Sequence, residues 1–199
     1  METMSTNLFS IANILSFLRL GLVPVLVWLA ASGAGVLFLW VLGISLISDA
    51  LDGYLARKLN QTSEFGAKLD SWGDALTYAV MILALYFLWP DIFSDQSVFL
   101  LMATLSFLVP LVVAVVKFGN YPSYHTLGAK IAALLIAPAY YLLIILDADI
   151  LFRLVILFYL IVAIEEIFIT YLLRHPKTNI SSAWALIKEQ RNQTIWRIP

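Results

Sequence analysis

Residues 48–75, SDALDGYLARKLNQTSEFGAKLDSWGDA, decide how this chain is read. Four aspartates stand in them, Asp49, Asp52, Asp70 and Asp74, within a sequence otherwise poor in charge. An uncompensated carboxylate at a bilayer centre costs at least about 2.5 kcal/mol, so four in apolar surroundings need a cation, water or a chemical task. Asp49 and Asp52 are three residues apart, and Asp70 and Asp74 four apart. On two helices each pair then shares one face, and both pairs can project towards one point. An all-oxygen cluster suits a hard divalent cation such as Mg2+ or Mn2+, because the chain has no cysteine and only His125 and His175 as softer ligands.

Composition sets the frame for that stretch. Of the 199 residues, 62% are hydrophobic and 13% charged, and the mean hydropathy is +0.91. Soluble domains sit near about 45 to 50% apolar and about 25% charged. The expected class is therefore an all-α, polytopic membrane protein, one domain over residues 1–199. A net charge of -1 gives no basis for nucleic-acid binding, and the absence of cysteine excludes disulfides and thiolate metal sites. The opening METMSTNLFSIANILSF has neither a basic n-region nor an A-x-A site, and is expected to lead into the first span.

At about 20 residues per span the chain predicts about six transmembrane helices. They are expected at residues 11–31, 34–59, 67–89, 98–117, 127–146 and 150–173. The second carries Asp49 to Arg57 near its exit, and the third holds Asp70 and Asp74 in its opening turns. Gln61, Thr62 and Ser63 form the polar turn between them, and GNYPSYHTLG (residues 119–128) is a loop with Gly and Pro punctuation. A polar tail follows from about residue 174, with a short interfacial helix expected around residues 183–190. Basic residues cluster on one side: Arg57, Lys58 and Lys68, then Lys117 and Lys130, then Arg174, Lys177, Lys188, Arg191 and Arg197. The other connections offer Asp91, Asp95, Asp147 and Asp149, with Arg153 as the one base. The positive-inside rule then turns both termini and the aspartate hairpin to the cytoplasm. At 1.5 Å per residue, Asp49 lies about 13 Å in from Lys58, Asp74 about 9 Å in from Lys68, and Arg19 about 12 Å into the first span.

Asp49, Asp52, Gly53, Ala56, Arg57, Gly66, Asp70 and Asp74 follow the spacing D-x2-D-G-x2-A-R-x8-G-x3-D-x3-D without a gap. This string resembles the signature of the CDP-alcohol phosphotransferase family of integral membrane enzymes. The resemblance implies transfer of a substituted phosphate from a CDP-linked donor, commonly CDP-diacylglycerol, to the hydroxyl of an acceptor alcohol, with release of CMP. It implies Asp49, Asp52 and Asp70 as ligands of a pair of Mg2+ or Mn2+ ions. Asp74 would be a ligand, the general base for the acceptor hydroxyl, or both. Two metal ions can clamp the attacking and leaving oxygens of such a displacement. With Asp52, the small Gly53 and Ala56 would let the nucleotide and its diphosphate lie against the backbone. Arg57 would offer a planar fork of donors to a phosphate. Gly66, expected just before the third helix, would keep the turn open beside the nucleotide. The plainer readings of the glycines and acids are helix packing through small residues and helix capping. The family resemblance also suggests a homodimer.

Outside the signature, Asn13 and Arg19 are similar to residues that often open members of the family. Arg19 is expected to neutralise the carboxylates, touch a phosphate or serve as a structural counter-ion. Lys130 in GAKIAA, with His125, is the candidate for an acceptor phosphate or carboxylate, against a plain positive-inside anchor. Many phosphatidylglycerophosphate synthases resemble one another in a GKxKT-like stretch at this place, from which GAKIAA departs. Glycerol 3-phosphate is the expected acceptor, with inositol phosphate, serine, choline and phosphatidylglycerol as alternatives. Glu165 and Glu166 in the last span would position the acceptor, hold Arg19 or snorkel to water. A divalent-cation transporter is the competing reading, since intramembrane acids also mark ion pathways. Transporters tend to carry repeats and broken helices, and the sequence shows neither.

Overall fold

A computed structural model of the protein describes residues 11–58, 64–119, 124, 126–178 and 180–188, with side-chain surroundings at 16–49, 51, 72–119, 124, 126–178 and 180–188. Among the described residues every regular element is a helix. The helices are α1 (Ile11–Ala31), α2 (Gly35–Lys58), α3 (Glu64–Leu88), α4 (Pro90–Asp95), α5 (Ser97–Phe118), α6 (Leu127–Leu146) and α7 (Asp149–Leu172), with a short helix at residues 183–188 in the tail. An apolar chain satisfies its backbone groups internally by coiling into helices, and lipid leaves few alternatives.

The helix ends follow local chemistry. After α1 the chain turns through Gly33 at φ +77°. Ala34 N–H donates to Leu29 O at 3.0 Å and Gly33 N–H to Ala30 O at 3.3 Å, the paired pattern in which a left-handed glycine closes a helix. Thr126 caps α6, its hydroxyl accepting from Ala129 N–H at 3.1 Å. Two details differ from the sequence reading. The third helix starts at Glu64, not near Ala67, so Gly66 lies inside its first turn instead of before it. The physical reason is Glu64, an acid at the start of the helix, where the dipole favours one. The other is α4, which fills a stretch expected to be a simple connection. Pro90 at the first helical position and Asp91 behind it favour that turn of helix.

The chain forms two compact units, one ending at Ser94 and the other beginning at Asp95. In the first, α1 packs against both α2 and α3 around Leu26, Phe38, Leu42, Ala84 and Leu85. In the second, α7 packs against both α5 and α6 around Ala139, Leu143, Phe152 and Ile156. Large apolar side chains remain exposed on long helices of both units, Trp40 at 71% and Val116 at 82% among them. Apolar surface on that scale needs a nonaqueous neighbour. Helices α5 and α6 are long and apolar enough to cross a membrane, and residues 16–31, 35–49 and 72–88 are shorter apolar helical stretches. Membrane association follows from this pattern.

A polar tie fixes one end of the second unit. Gln96, wholly buried before α5, donates through Nε2 to Asp149 Oδ1 at 2.9 Å and accepts from Arg153 Nε at 3.0 Å. Arg153 also lies over the Phe99 ring, 5.3 Å from its centre. Gln96→Leu leaves both charged partners without this bridge, and is expected to cost about 1 kcal/mol, or about 3 °C in Tm. Thermal unfolding in detergent checks it; an unchanged Tm would show that the tie contributes nothing.

Candidate active site

Helix geometry brings three charges to one level. Arg19 is eight residues from the start of α1, about 12 Å along the axis, and Asp49 is nine residues before the end of α2, about 13 Å. With α3 beginning at Glu64, Asp74 is ten residues in, about 15 Å, deeper than the distance measured from Lys68. Arg19 Nη1 donates to Asp49 Oδ1 and, at 2.8 Å, to Asp74 Oδ1. One nitrogen on α1 thus joins carboxylates from α2 and α3.

The arrangement is lopsided. The Arg19 side chain is 1% exposed, whereas those of Asp49 and Asp74 are 32% and 45% exposed. The cation is buried and the acids are partly exposed. Unit charges about 4 Å apart interact by about 4 kcal/mol at an effective dielectric near 20, so two neighbouring carboxylates gain much from a guanidinium held between them. The guanidinium rests against Gly73: a Cβ there would sit 2.8 Å from Arg19 Nε and 2.9 Å from Cζ. The same three helices carry further buried polar side chains. Ser16, Ser45, Ser48 and Thr77 are all buried, with Thr77 Oγ1 donating to Gly73 O at 2.8 Å and Ser48 Oγ to Ile44 O at 2.7 Å.

Of the residues singled out from sequence, the structure brings Arg19, Asp49 and Asp74 together. Arg19 takes the carboxylate-neutralising place. Asp52, Gly53, Ala56 and Arg57 lie on the last turns of α2, and Gly66 and Asp70 on the first turns of α3, with their side chains outside the described residues. Lys130 is exposed on the first turn of α6, and His125 lies outside the described residues. Among the described residues no group of three or more acids, histidines or cysteines gathers at metal-binding range. The sequence reading passed over Gly73. Its signal was present, a second small residue directly before the last aspartate, but it is not one of the eight fixed positions.

Glu165 also has a definite partner. Its Oε1 accepts the backbone N–H of Ala183 at 3.0 Å, at the start of the tail helix, where Ser182 Oγ accepts from Ala185 N–H at 3.1 Å. The tail is pinned further by Ile180 N–H to Tyr124 O at 2.8 Å and Leu127 N–H to Ser181 O at 3.0 Å. Tyr124, Ile169, Leu173, Ile180 and Leu186 form a small core beneath it. Burial pushes the Tyr124 phenol above its ordinary pKa, with the charge of Glu166 adding to the effect. It therefore stays a neutral partner for Thr170 Oγ1, at 2.7 Å. Lys117 Nζ donates to the carbonyls of Thr170 and Tyr171, each at 2.9 Å, closing the end of α7 with a cation where its dipole is negative.

Comparison with known proteins gives a consistent picture. A family model described as CDP-alcohol phosphatidyltransferase matches residues 9–175. A cardiolipin synthase (CMP-forming) of Streptomyces coelicolor is 32% identical over 152 residues, 72% of this chain and 68% of the relative. A CDP-diacylglycerol–inositol 3-phosphatidyltransferase of Candida albicans is 38% identical over 81 residues, 41% of this chain and 35% of the relative. A CDP-diacylglycerol–glycerol-3-phosphate 3-phosphatidyltransferase of Pseudomonas fluorescens is 35% identical over 86 residues, 38% of this chain and 40% of the relative. The chain thus spans about two thirds of the first and well under half of the other two. No solved structure matches it.

Glu165→Ala removes a charged acceptor worth about 1.5 kcal/mol from the tail. Amide hydrogen exchange across residues 180–186 is expected to quicken by about tenfold, a change that 1.4 kcal/mol of local stability produces. Unchanged protection would show that the tail is held without Glu165.

Proposed function

The chain belongs to the CDP-alcohol phosphatidyltransferase family, and from that membership we propose that it moves a phosphatidyl group from CDP-diacylglycerol to the hydroxyl of an acceptor alcohol, releasing CMP. The observation that carries the site assignment is the sharing of Arg19 by Asp49 and Asp74, acids from two helices. Family membership favours this reading over a divalent-cation transporter. About six spans, with both termini and the site towards the cytoplasm, and a homodimer are part of the same proposal.

Asp49 and Asp74 fit a divalent cation: they bring hard oxygen donors from two elements to one place, and both are open on their outer side. With Asp52 and Asp70, one turn along the same helices, they would hold a pair of Mg2+ or Mn2+ ions. Such ions, when bound, would supply stabilisation of charge on the attacking and leaving oxygens. The remaining work falls to the chain. Asp74, the more open of the two described acids, takes the proton of the acceptor hydroxyl as its oxygen bonds to the phosphatidyl phosphorus. The phosphorus–oxygen bond to CMP breaks, and Arg57 steadies the donor's diphosphate with its fork of N–H groups. Gly53 and Ala56, with Gly66, leave the backbone open to the nucleotide.

For the acceptor we place phosphatidylglycerol first and glycerol 3-phosphate second. The relative with the widest coverage of the three is named as a cardiolipin synthase that forms CMP. Cardiolipin is two phosphatidyl groups on one glycerol, so atom balance requires a CDP-linked phosphatidyl donor to meet phosphatidylglycerol. The Pseudomonas relative keeps glycerol 3-phosphate as the second reading. Both acceptors carry a phosphate, for which Lys130 and His125 stay the candidates that the sequence offers.

Purified protein given CDP-diacylglycerol, Mg2+ and a panel of acceptors is expected to release CMP, fastest with phosphatidylglycerol. Glycerol 3-phosphate, inositol phosphate, serine and choline complete the panel. Asp70→Asn and Asp74→Asn are each expected to lower the rate by about 100-fold or more. Chelation should stop the reaction and added Mg2+ or Mn2+ restore it. CMP release indifferent to both substitutions would sink the site assignment, and liposome uptake of the cation without CMP would favour a transporter.

A further inference from the structure

We propose that Arg19 is the resident counter-cation of this site: a positioning residue that holds Asp49 and Asp74 together before any divalent ion arrives, and that weakens the binding of that ion. The inference rests on the reading of these acids as metal ligands. It starts from the cost of the arrangement. A guanidinium that is 1% exposed has given up nearly all its water, and removing one partner of such a buried pair is strongly destabilising. The compensation is geometric. A single nitrogen contacts oxygens from two helices, so α2 and α3 are tied through α1 at the level of the acids.

Gly73 shows that the place is fitted to the guanidinium. Any Cβ at position 73 would fall within 2.9 Å of three of its atoms, Nε, Cζ and Nη2. A flexible side chain could normally swing aside, but Arg19 is enclosed and engaged by two carboxylates. Displacing it therefore breaks the ion pairs. The acids are 32% and 45% exposed, which leaves a divalent ion a way to reach them. That ion and the guanidinium draw on the same two carboxylates and repel each other. Their coupling is unfavourable, and it is reciprocal: what Arg19 takes from metal affinity, bound metal takes from the grip of Arg19. The wild-type protein should accordingly tolerate metal removal, because a cation built into α1 already stands between the acids.

The test compares wild type, Arg19→Gln and Gly73→Ala in detergent, by thermal unfolding with EDTA or millimolar Mg2+ and by Mn2+ binding read from electron paramagnetic resonance. Wild type should unfold at nearly the same temperature in both solutions. Arg19→Gln should fall by about 4 °C or more in EDTA and recover most of it with Mg2+, and should bind Mn2+ at least about 5-fold more tightly, the low end of ordinary coupling between sites. Gly73→Ala keeps every charge and pushes the guanidinium off its seat, so it should show the same added response to Mg2+. It carries the test should Arg19→Gln fail to accumulate. Equal destabilisation with and without Mg2+, and unchanged Mn2+ affinity, would mark Arg19 as merely structural and overturn the inference alone. Mn2+ bound by none of the three proteins would overturn the metal reading and the inference together.

Discussion

A positive charge buried in the first helix cannot be left without partners, and meeting that requirement organises residues 11–94. Arg19 is enclosed, so carboxylates have to come to it. They come from α2 and α3, and α1 accordingly packs against both. Close approach follows from the same demand: glycine at 73 lets the guanidinium lie against the α3 backbone. The register follows too, since Arg19, Asp49 and Asp74 can meet only if the helix ends bring them to nearly one level.

Much of this was legible in the sequence because apolar runs and capping residues report directly on backbone behaviour. The end of α1 at residue 31 coincides with that expected, and α6 begins at Leu127, after a threonine that caps it. The start of α3 was misplaced because Gly66 reads as a break. A glycine in a first turn costs only about 1 kcal/mol, which an acid ahead of it helps to offset. That shift puts Asp74 about 15 Å into α3, beside about 12 Å for Arg19 in α1. That Asp49 and Asp74 can converge was legible from spacing; Arg19 as the cation between them was one of three uses expected of it, and spacing did not choose among these. Periodicity places a residue on a face but does not say which neighbouring helix presents its partner, and the role of Gly73 exists only through the side chain that leans on it.

The second unit handles its charges differently. There two charged side chains are spent on backbone ends: Lys117 on the last carbonyls of α7, and Glu165 on the first amide of the tail helix. Helix termini surrounded by apolar residues lack water to satisfy them, so a side-chain cation or anion at the right end does the work. This explains why Glu165 is retained in an apolar helix without assigning it a part in chemistry. Sequence alone could not distinguish that use from a catalytic one, because the amide it serves lies 18 residues away.

On the proposed reading, the sign of the site's total charge gives Arg19 a consequence beyond holding two helices. Two divalent ions would just cancel four carboxylates, leaving a neutral centre for a donor whose diphosphate arrives negative. A guanidinium fixed behind the acids tips that centre to positive without occupying the open side where substrate must lie. It is also a charge that cannot be lost: arginine keeps its proton under all ordinary conditions, whereas a lysine in the same enclosure could shed it. A buried arginine on the first helix is thus a permanent contribution to the attraction of an anionic donor. Its cost in desolvation is offset by its ion pairs with Asp49 and Asp74.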